Sequence, residues 1–322
     1  MFKHSLFAIA ATLALGLAQA APEKPECIAP AKPGGGFDLT CKLAQGGLQN
    51  GNMLESPMRV TYMPGGIGAV AYNTVIAQRP DEGGTIVAFS GGSLLNLAIG
   101  KFGRYTVDDV HWLAAVGADY GAIIVRADSP FKDLKDLMAA LKSDPTQVVF
   151  GAGGSVGSQD WMKSALVAKA AGVDFRRMRY VAFEGGGEAM TSLQGGHVQV
   201  YSGDASEVAA HLKGGKVRVL GILSDQRLPG ELSGIPTAKE QGYDVEWPII
   251  RGYYMGPKVA KAEFDWWVGT FDKLLASEAF AKLRASQGLF PFDLTGEKLD
   301  AYVKERVTHY GELAREFGLG AN

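Results

Sequence analysis

Glycine stands in runs at five points of this chain, each after a short apolar stretch and before a segment of helical character: Gly34-Gly35-Gly36, Gly65-Gly66, Gly91-Gly92, Gly153-Gly154 and Gly185-Gly186-Gly187. A glycine turn that feeds a helix leaves the first backbone N–H groups of that helix unpaired, at the positive end of its dipole. Such a turn can hold an anion, and glycine suits it because a Cβ would block close approach and the turn needs positive φ. A hydrogen bond to a charged group contributes ~1.5–3 kcal/mol and the dipole ~0.3–2 kcal/mol. Two or three converging turns therefore suffice for the about −8 kcal/mol of micromolar binding. Ser90, Ser155 and Ser158 add hydroxyl donors beside the turns. Asp38 is expected to cap the first helix or hold its loop, not to touch an anion directly. Asp204, at a strand end, either sets a loop near the same place or faces the ligand. Gly65-Gly66 reads mostly as a plain turn, and Gly195-Gly196 and Gly214-Gly215 as helix C-caps.

Two catalytic patterns are also present. Gly153-Gly154-Ser155-Val156-Gly157 matches a G-x-S-x-G nucleophile elbow, with Asp204 or Asp225 and then His309 in the order a hydrolase triad requires. No HGGG-like segment precedes it, and His309 falls in a helical stretch, so an esterase is disfavoured. Gly151 and Gly153 with Asp174 mimic a dinucleotide fingerprint, but the third glycine is Gly157, one place late. The five histidines are scattered, without H-x-x-H or C-x-x-C spacing. The expectation is a binding protein, not an enzyme, with neither metal nor cofactor.

The elements that position the turns alternate strand and helix. Strands are expected over 27–31, 59–62 and 85–89, with helices over 37–49 and from the second glycine turn through 77. Strands over 112–116 and 122–125 follow with a short connection, and Pro130 opens a helix to about 142. Strands over 148–150, 179–183, 198–202 and 217–223 alternate with helices ending near Ala171, Gly195 and Leu212. After 223 a loop with Pro229 and Pro236 leads to a short helix over 237–241 and long ones over 263–286 and 295–317. This pattern implies an α/β fold with a mainly parallel sheet and helices on both faces. The tail is read as returning to the first lobe. Lobe 1 is then 21–122 plus 223–322 and lobe 2 is 123–222, two crossings forming a hinge beneath a cleft. Ligands bind such sheets at the carboxyl ends of the strands, where the glycine turns fall.

Lys3 and His4, an apolar run over 5–18 and Ala18-Gln19-Ala20 make residues 1–20 a secretory signal peptide. Its loss takes the formal charge from −2 to −3, so nothing suggests nucleic acid or an anionic membrane as partner. The remaining 302 residues of 322 exceed one usual domain, and 47% hydrophobic content is ample for two cores. Cys27 and Cys41 are more often bridged than free in an oxidising compartment, a loop worth ~3 kcal/mol. One lies before the first glycine turn and one beyond it, and bridging them requires a short or bent first strand.

The strings PAKPGGGFDLTCKLAQ, VTYMPGGIGAVAYNTVIAQRPDEGGTI, GAGGSVGSQD, YVAFEGGGEAMTSLQGG and PTAKEQGYDV, in that order, resemble the solute receptors of tripartite tricarboxylate transporters, the Bug family. The resemblance spans essentially the whole mature chain. It implies a type II periplasmic binding protein fold, a periplasmic, monomeric receptor, and delivery of a di- or tricarboxylate to a two-component membrane permease. It places ligand contacts on Gly34, Gly35, Gly36, Phe37 and Asp38, on Ser155, Val156, Gly157 and Ser158, and on Gly185 and Gly186. To these the residues themselves add Ser90, Gly91 and Asp204. Ala31 and Phe183 depart from the aromatic and the tyrosine common there, which bears on specificity. The Cys27 and Cys41 context is similar to the tricarboxylate receptors of the family, which points to citrate or a close relative. Arg251 is a candidate partner for a third carboxylate, though a structural arginine is the stronger reading.

Overall fold

The computed structural model describes residues 21–320, so the expected signal peptide lies outside the described residues. The chain opens with β1 (Glu26–Ala29), α1 (Gly36–Asn50), β2 (Arg59–Tyr62), α2 (Ala69–Gln78), β3 (Thr85–Ser90) and α3 (Gly91–Ala98). β1 pairs in parallel with both β2 and β3. β4 (His111–Arg126) follows, and then α4 (Leu134–Ser143), β5 (Val149–Gly153), α5 (Gln159–Ala170), β6 (Arg179–Phe183), α6 (Gly186–Gln194), β7 (Val200–Asp204), α7 (Ala205–Leu212) and β8 (Val217–Leu223). Here β5 is the parallel centre, between β6 and β7. The tail contributes β9 (Pro248–Met255), α8 (Lys261–Leu275), α9 (Glu278–Ser286), β10 (Leu294–Thr295) and α10 (Gly296–Glu316). The fold is α/β, with parallel strands on both flanks of a sheet ordered β2-β1-β3-β9-β4-β7-β5-β6.

The centre of that sheet differs from the sequence reading. Residues 112–116 and 122–125 belong to a single strand of 16 residues. Gly117, Asp119 and Gly121 favour a turn locally. They stay extended because β9 pairs along β4 from His111↔Met255 to Tyr120↔Pro248, and β7 and β8 take over from Gly121. Tertiary pairing overrides weak strand propensity. β9 itself, in a stretch to which the sequence reading gave no element, is a strand seated between β3 and β4. The helix expected over 263–286 is broken, because the Ser277 hydroxyl accepts from the N–H of Phe280 at 3.2 Å and starts α9 afresh.

Cys27 of β1 and Cys41 of α1 are disulfide-bonded, with Cα atoms 5.6 Å apart. β1 is only four residues long, and α1 packs back against it, so the two positions are level. Of two adjacent tryptophans on α8, Trp267 is fully buried, whereas Trp266 is only partly covered. The C-terminal tail reaches beyond the first strands. α10 packs on α3 and β4, while the ring of Phe317 lies tilted against Phe175 and meets the ring of Trp161 edge-on.

Candidate functional site

The site is built where β4 passes from one group of strands to the other. β9 sets Arg251 between Ser90 of β3 and Gly117 of β4. Arg251 is 1% exposed, and donates to Asp119 through Nε at 3.1 Å and Nη2 at 2.6 Å, and from Nη2 to Asp204 Oδ2 at 2.7 Å. Lys163, on α5, is fully buried. Its Nζ donates to Asp160 Oδ1 at 2.8 Å and to the carbonyl of Gly203 at 2.8 Å, and pairs with Asp204 Oδ1. Glu207 completes the cluster from the first turn of α7. Its Oε1 accepts from the N–H of Gly36 at 2.7 Å, and its Oε2 from the N–H of Asp204 at 3.2 Å and from the Tyr201 hydroxyl.

Three carboxylates thus share two cations in this floor and a fourth, Glu207, has none of its own, and their titration follows. Burial, reinforced by Asp204 and Asp160, pushes the Glu207 carboxyl up to about 7. Burial also raises Asp160 against the pull of Lys163. Burial alone would raise Asp204 as well, but Lys163 and Arg251 outweigh it and hold that carboxyl below its usual value.

The glycine turns do bind carboxylates, and the carboxylates belong to the chain. The N–H of Gly34 donates to Asp38 Oδ2 at 2.8 Å, that of Gly36 to Glu207, and that of Gly153 to Asp160 Oδ2 at 2.8 Å. Beside the last turn the N–H of Glu184 donates to Glu188 Oε2 at 3.0 Å. The turns also need glycine for a reason other than a ligand. The turn before α1 packs directly on the turn before α6: a Cβ on Gly187 would stand 2.5 Å from the carbonyl oxygen of Pro33. A Cβ on Gly36 would stand 2.2 Å from Arg251 Nη1.

An inner cavity of about 50 Å³ remains above the floor. That is room for a water molecule or two, each occupying about 30 Å³ in the liquid. Among the residues expected in the site, Gly35, Gly36, Phe37, Ser90, Gly185, Gly186 and Asp204 line it, together with Asp160, Glu207 and Arg251. Ser155 and Ser158 line an adjoining outer chamber of about 480 Å³, along with Gly66, Lys32, Lys101 and Glu184. Ile67 and Asn96 border both spaces.

Gly34, Asp38, Gly91, Val156 and Gly157 line neither space. Gly34 faces Gly187, and Asp38 is held by Gly34, Lys42 and the Tyr62 hydroxyl. Gly91 lies under the Tyr310 hydroxyl, Gly157 packs near Leu319, and Val156 is 51% exposed. Asp119, Asp160, Lys163, Glu207 and Lys101 were not found by sequence reasoning. One signal was available: Asp204 followed three residues later by Glu207 is a capping-box pattern, and Glu207 does reach back to the N–H of Asp204.

The residues of the G-x-S-x-G pattern do not form a triad. Ser155 Oγ accepts from Lys101 Nζ at 2.9 Å, Asp204 is committed to Lys163 and Arg251, and His309 lies on α10 against the Tyr310 ring. Among the described residues no group of three or more His, Cys, Asp and Glu could hold a metal ion, and no helix is long and apolar enough to cross a membrane.

Comparison with known proteins adds an independent line. Residues 43–319 match the family described as tripartite tricarboxylate transporter family receptor. Protein BugT of Bordetella pertussis is 24% identical over 302 residues, covering 92% of this chain and 90% of its own. Of solved structures, a TctC solute binding protein from Polaromonas is 26% identical with a TM-score of 0.61, covering 92% of this chain and all of its own. MatC from Rhodopseudomonas palustris, solved with bound malate, shares the fold at 20% identity and a TM-score of 0.77, over 90% of this chain and 98% of its own.

Proposed function

We propose that this chain, which belongs to the tripartite tricarboxylate transporter receptor family, is a periplasmic receptor that closes on a small carboxylate and presents it to a two-component membrane permease. In this reading residues 1–20 direct export, and residues 21–122 plus 223–322 and residues 123–222 are the lobes. β4 and the segment joining β8 to β9 would be the two crossings of the hinge, with closure creating the surface a permease reads.

The observation that carries the proposal is the bond from the N–H of Gly36 to Glu207 Oε1, at 2.7 Å. A carboxylate is held there at the N-terminus of α1, beside Gly186 at the start of α6. The family and the Cys27–Cys41 context favour a tricarboxylate such as citrate. The floor favours fewer charges, because Asp160, Asp204 and Glu207 all face the inner cavity and only Arg251 opposes them there. We therefore place dicarboxylates and acidic amino acids ahead of citrate, and malate bound to MatC is one ligand of that size. Calorimetry with citrate, cis-aconitate, tricarballylate, succinate, malate and glutamate tests the reading. Micromolar binding of at least one, with the less charged ligands ahead, is expected; absence of binding by all six would overturn it.

A further inference from the structure

We propose that Lys101 fixes a second carboxylate of the ligand in the outer chamber, so that the receptor selects solutes with two or more carboxylates over isosteric solutes with one fewer. The inference rests on the carboxylate-receptor reading and names a contact that reading does not contain.

Lys101 lies between α3 and β4, and its Nζ crosses the cleft to the turn between β5 and α5, donating to Ser155 Oγ at 2.9 Å and to the carbonyl of Val156 at 2.7 Å. Both partners are neutral oxygens. Lys32, the other lysine of the chamber, is already paired with Glu188 at 2.9 Å. In the floor, Arg251 and Lys163 each hold two carboxylates. Among the described residues no Asp or Glu comes within ion-pair distance of Lys101. Burial without a counter-charge pushes the Lys101 ammonium below its usual value, which is the cost of withdrawing a cation from water with only dipoles to replace it. A ligand carboxylate would remove that cost. An ammonium has three donors, and two are engaged, so one remains for it.

The dimensions agree. At about 480 Å³ the outer chamber is within the range that takes a small molecule. Because Ile67 and Asn96 border it and the inner cavity alike, one solute can direct one carboxylate towards the start of α1 and leave another beside Lys101. The floor carries surplus negative charge, whereas in the outer chamber Lys32 and Lys101 stand with Glu184 and Glu188 and Lys101 is the lysine without an ion pair, so the two spaces would read different parts of the same molecule.

Lys101 could instead be only a latch that ties two sides of the cleft together, and the experiment separates the two roles. Calorimetry would compare succinate, adipate and citrate with their monoamides, which keep size and shape but lose one charge. Wild type should bind the parent acid about tenfold more tightly than its amide, since the ammonium meets a full negative charge in the acid and only a dipole in the amide. Lys101→Gln should bring that ratio within about twofold, and Lys101→Arg should retain most of it. A Lys101→Gln variant that weakens acid and amide equally would show a latch and overturn the inference. So would equal binding of acid and amide by wild type, with the receptor reading intact. Failure of wild type to bind any of the six would overturn both.

Discussion

Around the inner cavity each cation is matched or outnumbered: Arg251 holds Asp119 and Asp204, Lys163 holds Asp160 and Asp204, and Glu207 adds a charge with no cation of its own. In the outer chamber Lys101 has only a hydroxyl and a carbonyl. The floor is largely buried and several of its bonds join residues far apart in sequence, so it acts as a preorganised base whose charges are spent on one another. The chamber is partly open, and Lys101 is its lysine without a carboxylate partner among the described residues. Two regions of one cleft thus divide the work: the floor sets the arrangement of the turns, and the chamber is where a ligand's charge would be counted.

The comparison is most severely tested at Arg251. Arg251→Met leaves Asp119 buried without its cation, which should cost about 3–5 kcal/mol of unfolding free energy in urea titrations. A loss under 1 kcal/mol would mean that the floor is not a structural unit.

Glu207 tests its charge. Its pKa is raised above the unfolded value, so the charged form is the one the fold disfavours. Stability should therefore be full below about pH 4.5 as far as this group is concerned, and fall as pH rises towards about 7 and above. The groups facing it are Tyr201, Asp204, Asp160, Arg251 and the N–H of Gly36. Asp204, held low, acts in the opposite sense and loses its contribution only in more acid solution. Thermal or urea unfolding of wild type between pH 5 and 8 should show a loss on the order of 2–3 kcal/mol, and Glu207→Gln should flatten that slope. An unchanged slope would assign the titration elsewhere.

Gly187→Ala addresses the contact between the turns. Its methyl would press on the carbonyl of Pro33, and overpacking of this kind costs about 1–3 kcal/mol. Small-angle scattering should show a more open particle, and an unchanged profile with unchanged stability would deny the contact. The smallest effect is expected in the chamber. Lys101→Gln should change stability by less than about 1 kcal/mol, since its hydrogen bonds are exposed and made to neutral acceptors, and a larger loss would erase the distinction between the regions.

Much of this molecule was legible in its residues. Runs such as Thr85–Ser90 and Val217–Leu223 are strands as their apolar texture requires, and the glycine turns do precede helices. The misreadings cluster at the sheet centre. Gly117, Asp119 and Gly121 carry local turn signals, and Gly252 interrupts an otherwise strand-like stretch, yet β4 and β9 hold each other extended. In the site, Gly36, Ser90 and Asp204 line the inner cavity at the turns, whereas Lys163 and Glu207 look like ordinary helix-surface charges in sequence, and the fold buries the first and partly covers the second.

The alternation of elements and the glycine turns before the helices are properties of neighbouring residues, so the sequence alone determined them. What occupies those turns was decided only by the tertiary structure. The bond from Gly36 to Glu207 spans 171 positions, and that from Arg251 to Asp119 spans 132. Whether a charge at such a distance ends as a partner, a rival or a free cation depends on burial and counter-charge together. Those are set when the strands pack and not before.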